Sequence, residues 1–554
     1  MKKVLKSLLN TIIYFSTITS SIIYIIFRFT AIPNPKKYGI LSLLFGIFNV
    51  IFELWEFFNF IMYFFNVLLQ EKTSPKTPNV IIKEYPDIDV LIATYNEDEK
   101  LLEETIKSCK EMDYPDKNKI HIYICDDGNR NSIKQLSEKH KINYITRDNN
   151  IDYKAGNYNN ALSKIKSPFI ACFDADMCPT KNFLNKTLPF FYENEKEKIG
   201  FIQLPQSFKT PDIFQYRFKL WNELPIEQDY FYHVIQIAKN STNSVIFCGT
   251  NALFNRKALD EVNGFSKGTI SEDFATGMNI ESKGYKCIAI NDIEAYGINV
   301  DDMIGIIKQR SRWARGCIQI LKTKNIFKIN GLNFQQKLEY VSCISYWFFG
   351  VKRIISLIFP VIYPLLGIHI VICKPGKFLR FFLPQYLLKR FVLDIIESHL
   401  RSSTWDKIYQ TILGPIIGKE VIKELFGYGS TKFEVTDKNK NSDDNINFDQ
   451  LNKNMLYINF FMFSLNICSV VHCLYEIFTI KYDKLPFQNT VYICCIQQCV
   501  SNIFYLSISI IFLFHYEKYD YSDFIPNNNE KYYYSLVTKI FFRNEQTFKK
   551  VKVD

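Results

Sequence analysis

Residues 169–179, FIACFDADMCP, run from an apolar stretch into two carboxylates one residue apart, Asp174 and Asp176. An apolar run of this length that stops at polar residues reads as a buried strand. Strand side chains alternate with period two, so a strand ending in Asp-Ala-Asp would raise both acids on one face. Two like charges held together repel each other. A hard divalent cation with oxygen ligands would neutralise them and keep positions open for the phosphate oxygens of a substrate. A plain strand-end turn, where Asp is common, is the competing reading of the triplet alone.

The same pattern recurs upstream. DIDVLIATYN at 87–96 is a short apolar strand that ends in Thr94, Tyr95, Asn96 and Glu97, and EKLLEETIKSCKEM follows with helical spacing. KIHIYICDDGN, INYITRDNN and SPFIACFDADM continue the alternation of strands and helices, which predicts a doubly wound α/β domain. Such sheets bind ligands at the carboxyl ends of their strands, where Asp126, Asp127, Asp174 and Asp176 fall. Carboxylates there can accept hydrogen bonds from a base or ribose, and Lys154 in YKAGN can meet a phosphate as a point charge. No GxGxxG fingerprint is present, so the set points to a nucleotide-diphosphate sugar rather than a dinucleotide.

Two later stretches add chemistry. TISEDF at 269–274 puts Glu272 and Asp273 at a helix entrance, where capping and dipole complementation compete with catalysis as their purpose. KQRSRWARG at 308–316 gathers Gln309, Arg310, Arg312, Trp313 and Arg315. Arg with Trp near a membrane is often an anchor, but a leaving diphosphate needs fixed positive charge and a sugar ring stacks on an indole.

The chain has 554 residues, 47% hydrophobic and 16% aromatic, long enough for this domain plus membrane segments. Residues 8–29, 38–69, 353–373, 455–480 and 489–514 are each long and apolar enough to cross a hydrocarbon core of roughly 30 Å. The first is too long for a signal peptide and lacks a cleavage site. A sixth stretch, 378–397, carries Arg380, Lys389, Arg390 and Asp394, and hydropathy alone would lay it on the surface. If the polar segments 70–340 and 401–450 share a compartment, an even number of crossings separates them and 378–397 must also span. Six crossings are therefore expected. Lys2, Lys3, Lys6, Lys549, Lys550 and Lys552 would then face the cytoplasm, while Arg28, Lys36 and Lys37 at the outer face run against the charge rule.

A net charge of +11 without a basic run or nucleic-acid motif suits anionic headgroups and a phosphate-bearing substrate, not nucleic acid. The fourteen cysteines show no CxxC pair and read as small buried hydrophobes in a reducing compartment. KNKNSDDNINFD at 438–449 reads as a polar loop, and no internal repeat is present.

In order, CDDG, FDADM, SEDF and QRSRW resemble the D, DxD, TED and QxxRW series of processive family 2 glycosyltransferases. KFEVTDK at 432–438 is similar to the FxVTxK gating loop of cellulose synthases, at Phe433, Val435, Thr436 and Lys438. Hyaluronan- and chitin-type enzymes share the first four motifs but not the last. The likeness covers roughly residues 87–440, including FCGTNALFNRKALDEVNGF at 247–265, where the family places the acceptor end of the glucan near Cys248.

The resemblance implies a GT-A type catalytic domain that holds UDP-glucose through Thr94, Tyr95, Glu97, Asp127, Lys154, Asp174, Gln309 and Arg312. It implies Mg²⁺ or Mn²⁺ on Asp174 and Asp176, Asp273 as general base beside Glu272, Trp313 stacking the terminal sugar at a channel mouth, and Phe433, Val435, Thr436 and Lys438 closing over the donor. The product implied is a β-glucan, cellulose or mixed-linkage β-1,3/1,4-glucan, exported across the plasma (inner) membrane from a cytoplasmic catalytic domain. Accessory membrane or export subunits are left open.

Departures are a Ser at 271 in the TED position, Met177 where bacterial relatives often carry His, and only two crossings before the catalytic domain. The stretch after 514 is too short for a PilZ-type regulatory domain. The expected organisation is two membrane helices in 1–70, the catalytic domain in 71–340, interface helices with two crossings in 341–430, the gate in 431–450, two crossings in 451–515 and a cytoplasmic tail in 516–554. A lipid-linked, non-processive glycosyltransferase and a catalytically silent membrane scaffold are the competing functions.

Overall fold

The computed structural model describes residues 2–73, 75–194, 196–218, 226–300, 302–397, 403–428, 444–479 and 486–514. The gating motif at 433–438 and the tail from 516 lie outside the described residues. The chain divides into two compact units, one formed by 1–65, 348–419 and 447–516, the other by 66–347 with 420–446.

In the second unit the strands are β1 (Ile88–Thr94), β2 (Ile120–Asp126), β3 (Asn143–Ile145), β4 (Phe169–Asp174), β5 (Cys178–Pro179), β6 (Ile199–Gln203), β7 (Ser207–Phe208), β8 (Ala252–Asn255), β9 (Lys286–Ala289) and β10 (Ala295–Gly297). Seven form one sheet in the order β3-β2-β1-β4-β8-β6-β9, and β5-β10-β7 form a small second sheet. β1 is buried on both faces: Ile88, Val90 and Ile92 join one core cluster, while Leu91 joins the other. That is why its sequence is a nearly unbroken apolar run.

The expected parallel arrangement holds for β3, β2, β1 and β4. It does not extend across the whole sheet, because β8 runs antiparallel between β4 and β6. The sheet is thus mixed, with the carboxyl ends of β1, β2 and β4 on one edge.

The helices used below are α1 (Lys2–Thr30), α2 (Pro35–Thr73), α3 (Tyr153–Leu162), α4 (Glu272–Ser282), α5 (Met303–Thr323), α6 (Phe349–Leu366), α7 (Pro375–Glu397), α8 (Ser403–Leu425), α9 (Asp444–Thr479) and α10 (Pro486–Phe514). Among the described residues five helices are long and apolar enough to cross a membrane, over Thr11–Thr30, Pro35–Asn66, Phe349–Leu366, Lys453–Thr479 and Val491–Phe514. α7 is not one of these.

Side-chain pairs fix the helix directions within the first unit. Tyr14 packs on Phe64 and Arg28 pairs with Glu53 at 2.7 Å, so α1 and α2 are antiparallel. Phe348 meets Trp55 and Phe359 meets Phe48, which turns α6 back against α2. α7 lies lengthwise on the first hairpin: Phe381 stacks on Phe27 at 4.7 Å, Phe382 meets Tyr24 at 5.9 Å, and Lys389 lies over the Phe60 ring at 4.8 Å. Asn466 and Ser469 donate to the carbonyls of Leu357 and Pro360, while Asn502 reaches that of Ser356. With Tyr363 packed on Tyr492, α9 runs parallel and α10 antiparallel to α6. The charged α7 therefore runs antiparallel to α1 and shares its packing.

Candidate active site

The carboxyl ends of β1 and β2 form a polar edge. Glu97 accepts hydrogen bonds from Thr94 Oγ1 and the Tyr95 backbone N–H, both at 2.7 Å. Asp126 is buried and structural: it accepts from the backbone N–H groups of Gly128 at 3.0 Å and Arg130 at 2.7 Å, and from the Tyr144 hydroxyl at 3.0 Å. Asp127 is held by Arg147 through two bonds of 2.7 Å. Burial pushes the Asp127 carboxyl up, and the Arg147 guanidinium opposes that shift. Arg130 ties the edge together by donating to the Thr94 hydroxyl at 2.6 Å and to the Glu97 carbonyl at 2.7 Å. Sequence reasoning missed Arg130 and Arg147. Their only signal was their place within a few residues of CDDG and at the end of β3.

At the end of β4, Lys154 of α3 donates to the Asp174 carboxylate, and to the Gly249 carbonyl at 2.8 Å. The Asp174 N–H donates to Thr250 Oγ1 at 2.9 Å. Asp176 is not on the strand. β4 stops at Asp174, and the Met177 N–H closes a turn onto the Asp174 carbonyl at 3.1 Å, so period-two alternation is not what places Asp176 near Asp174. Ala175 is buried and its carbonyl accepts from Thr105 Oγ1 at 2.8 Å, which fixes that turn. Met177 is 2% exposed and belongs to the core, so its position offers no phosphate contact.

Glu272 and Asp273 open α4. Ser271 is the N-cap residue and makes no side-chain cap bond; Asp273 Oδ1 accepts only from the next N–H, that of Phe274, at 2.7 Å. Gly249 adopts φ +84°, and a Cβ there would lie 3.2 Å from Asp273 Oδ2 and 3.5 Å from Lys154 Nζ. Glycine thus lets one backbone segment pass between Lys154 and Asp273. Burial first, and the Asp273 charge second, push Glu272 up to about 8. Burial also raises Asp273, against the Phe274 N–H, Lys154 and Arg312. Burial thus favours the protonated form of both carboxyls, and the Lys154 and Arg312 charges oppose it at both.

α5 approaches the start of α4 closely, since any side chain at Gly316 would collide with Ser271. This puts Arg312 within electrostatic range of Glu272 and Asp273. Arg310 bonds Glu227 at 2.5 Å and Gln309 Oε1 at 3.1 Å, and its guanidinium lies 4.7 Å from the Trp313 ring centroid. Trp347 meets Trp313 edge to face at 6.3 Å. Near Arg310 two carboxyls are buried, Asp212, pushed up to about 6, and Asp229, pushed up to about 7, in both cases chiefly by burial. Cys248 is half-buried beside Gly249, with its thiol accepting from Gln236 at 3.0 Å and raised in pKa by burial. The structure thus gathers Lys154, Asp174, Asp273, Glu272 and Arg312, and places Thr94, Tyr95, Glu97 and Asp127 on the neighbouring strand ends.

All fourteen cysteines are free. Among the described residues no group of three His, Cys, Asp or Glu side chains is placed to hold a metal ion. Asp174 and Asp176 supply hard oxygen donors that fit Mg²⁺ or Mn²⁺ provided that phosphate oxygens complete the coordination shell.

The model of the family described as glycosyl transferase family 2 matches residues 89–262. The cellulose synthase catalytic subunit (UDP-forming) of Pseudomonas fluorescens (strain SBW25) is 33% identical over 367 residues, 66% of this chain and 48% of that protein. The corresponding subunit of Xanthomonas axonopodis pv. citri (strain 306) is 32% identical over 386 residues, 70% of this chain and 52% of that one. The chain spans about half the length of these relatives. A solved mannosyltransferase from Pyrobaculum calidifontis, in complex with GDP-Man and Mn²⁺, aligns over 70% of this chain and 99% of its own at 17% identity and TM-score 0.46. Residues 89–262 match the family 2 glycosyl transferase model, and about two thirds of the chain is similar to cellulose synthase catalytic subunits.

Proposed function

We propose that the protein is a processive, inverting glycosyltransferase that polymerises glucose from UDP-glucose into a β-glucan, cellulose or mixed-linkage, and passes the polymer across the membrane that holds its helices. The observation that carries this reading is the convergence of Lys154, Asp174 and Asp273 around Gly249. It puts a cation suited to phosphate, an acid suited to metal and a carboxylate suited to a general base within one cluster.

In this reading Thr94, Tyr95, Glu97 and Asp127 line the uridine end, and Lys154, Gln309 and Arg312 face the diphosphate. Asp174 and Asp176 would hold Mg²⁺ or Mn²⁺, and such a cation would supply positive charge to offset that of the diphosphate. Asp273 takes the proton from the acceptor hydroxyl while that oxygen attacks the anomeric carbon. The bond from that carbon to the diphosphate oxygen breaks, and UDP departs with the electron pair. Glu272 stays protonated beside Asp273 and so adds no second negative charge. Trp313, braced by Arg310 and Trp347, offers its ring to the acceptor sugar, with Cys248 nearby. Phe433, Val435, Thr436 and Lys438 act as the lid.

The alternation in direction of α1, α2, α6, α7, α9 and α10 supports six crossings, with α7 carried through on the α1 and α2 hairpin. In this reading the catalytic domain lies on the cytoplasmic side of the inner membrane. The decisive variant is Asp273→Asn. It should bind UDP as the parent does while transfer falls by roughly 10²- to 10⁴-fold, the range for loss of a general base. Loss of UDP binding would instead make Asp273 a structural cap.

A further inference from the structure

One end of the helical bundle, where α6 begins beside Trp55 and Glu56 of α2, carries positive charge that its described neighbours do not balance. Lys352 pairs with Glu56 at 3.1 Å and lies over the Trp55 ring. Lys389 of α7 lies within electrostatic range of the same Glu56 and of Lys352. One carboxylate thus serves two ammonium groups. Beside them, Lys407 of α8 lies within range of Arg353, Arg390 and Lys389, with Asp406 the carboxylate in that group. Asp406 also accepts a hydrogen bond from Gln410 at 2.8 Å.

Arg353 is the inner member of the cluster, 7% exposed. Its Nε donates to Thr411 Oγ1 at 2.8 Å and its Nη1 to Ser356 Oγ at 3.5 Å, while Nη2 is buried with no hydrogen-bond partner. The Tyr505 ring takes both Arg353, at 5.1 Å, and Lys407, at 5.5 Å. Two cations drawn to one ring repel each other, and the repulsion strengthens away from water. Lys407 is exposed, so the cluster opens outward from the covered Arg353. Trp55 and Tyr505 are the residue types found at headgroup level.

We propose that Arg353, Lys389, Arg390 and Lys407 form a binding site for the phosphate of an anionic phospholipid headgroup. A phosphate offers several acceptor oxygens and a charge, so it meets both the unpaired Nη2 donor and the excess of cations. A neutral sugar chain could accept hydrogen bonds but would leave the charge in place.

The test uses the full chain in dodecyl maltoside, with retained lipid counted by native mass spectrometry after titration with dioleoylphosphatidylglycerol. The parent should keep one lipid, and Lys407→Gln with Arg390→Gln should weaken its retention about tenfold or more. Lys407→Gln alone alters an exposed side chain and should give a smaller loss in the same direction with the melting temperature unchanged. Dioleoylphosphatidylcholine should be retained less well than the anionic lipid by the parent. Equal retention of the two lipids, or retention unchanged in both variants, would overturn the proposal. So would displacement of the lipid by an equal concentration of inorganic phosphate, which would make this a free-phosphate site. Loss of cellohexaose binding with lipid retention intact would overturn it too, and assign the cluster to the polymer path.

Discussion

The ammonium of Lys154 is bonded to the carboxylate of Asp174, twenty residues further along the chain and on a different element. The same ammonium lies within electrostatic range of Glu272 and Asp273. Lys154→Ala should leave these carboxylates uncompensated and lower UDP release from UDP-glucose by about 10²-fold or more, the scale set by removing one preorganised charge from an active site. Initial rates in membranes containing equal amounts of protein check this; a rate near that of the parent would remove Lys154 from the site.

Since no third described His, Cys, Asp or Glu joins Asp174 and Asp176, the cation should arrive with the donor rather than reside as a structural ion. EDTA should abolish transfer yet leave the melting temperature of the detergent-solubilised protein unchanged, and Mg²⁺ or Mn²⁺ should restore activity. Asp176→Asn should be inactive with or without added metal. A large fall in melting temperature on chelation would point to a structural ion instead.

Asp229 supplies a pH signature. Its carboxyl is 7% exposed, accepts from the Ile226 N–H at 3.2 Å, and is pushed by burial from 3.8 to about 7. The folded state therefore holds this proton more tightly than the unfolded state, and stability falls as pH rises from about 4 through about 7. Asp229→Asn keeps the acceptor oxygen and removes the titration, so its melting temperature should decline less than the parent's between pH 5 and pH 8, with pH values set as a rough bracket of that shift. Parallel slopes for the two proteins would contradict this.

Met177 tests whether a missing histidine matters. The side chain is in the core, so Met177→His buries a polar ring and should destabilise the protein by roughly 1–3 kcal/mol without tightening metal binding. Denaturation and the Mn²⁺ dependence of transfer read the two effects separately; tighter Mn²⁺ dependence at unchanged stability would show that position 177 faces the site.

The strands were legible because β1 and β4 are buried on both faces and so read as apolar runs, and the polar residues at their ends followed from that. What the pattern could not show was direction: β8 inserts antiparallel beside β4, a choice made by tertiary packing. The Asp-Ala-Asp triplet does not follow strand alternation, since β4 ends at Asp174 and a turn places Asp176. Arg147 was invisible as a partner of Asp127 because the pair depends on how β3 docks on β2. α7 resisted reading by hydropathy because the aromatic rings of α1 and α2 cover its Phe381, Phe382 and Lys389, and composition does not record such cover.

Membranes containing the protein should be supplied with UDP-glucose labelled in the sugar, and the product digested separately with enzymes specific for β-1,4, β-1,3 and mixed β-1,3/1,4 linkages. The account predicts a long, insoluble labelled polymer that β-1,4-specific or mixed-linkage-specific digestion reduces to short oligosaccharides, with UDP released in proportion, and neither in the Asp273→Asn variant. Label recovered only in a short, organic-soluble lipid-linked product, or no transfer from UDP-glucose by folded protein, would contradict it.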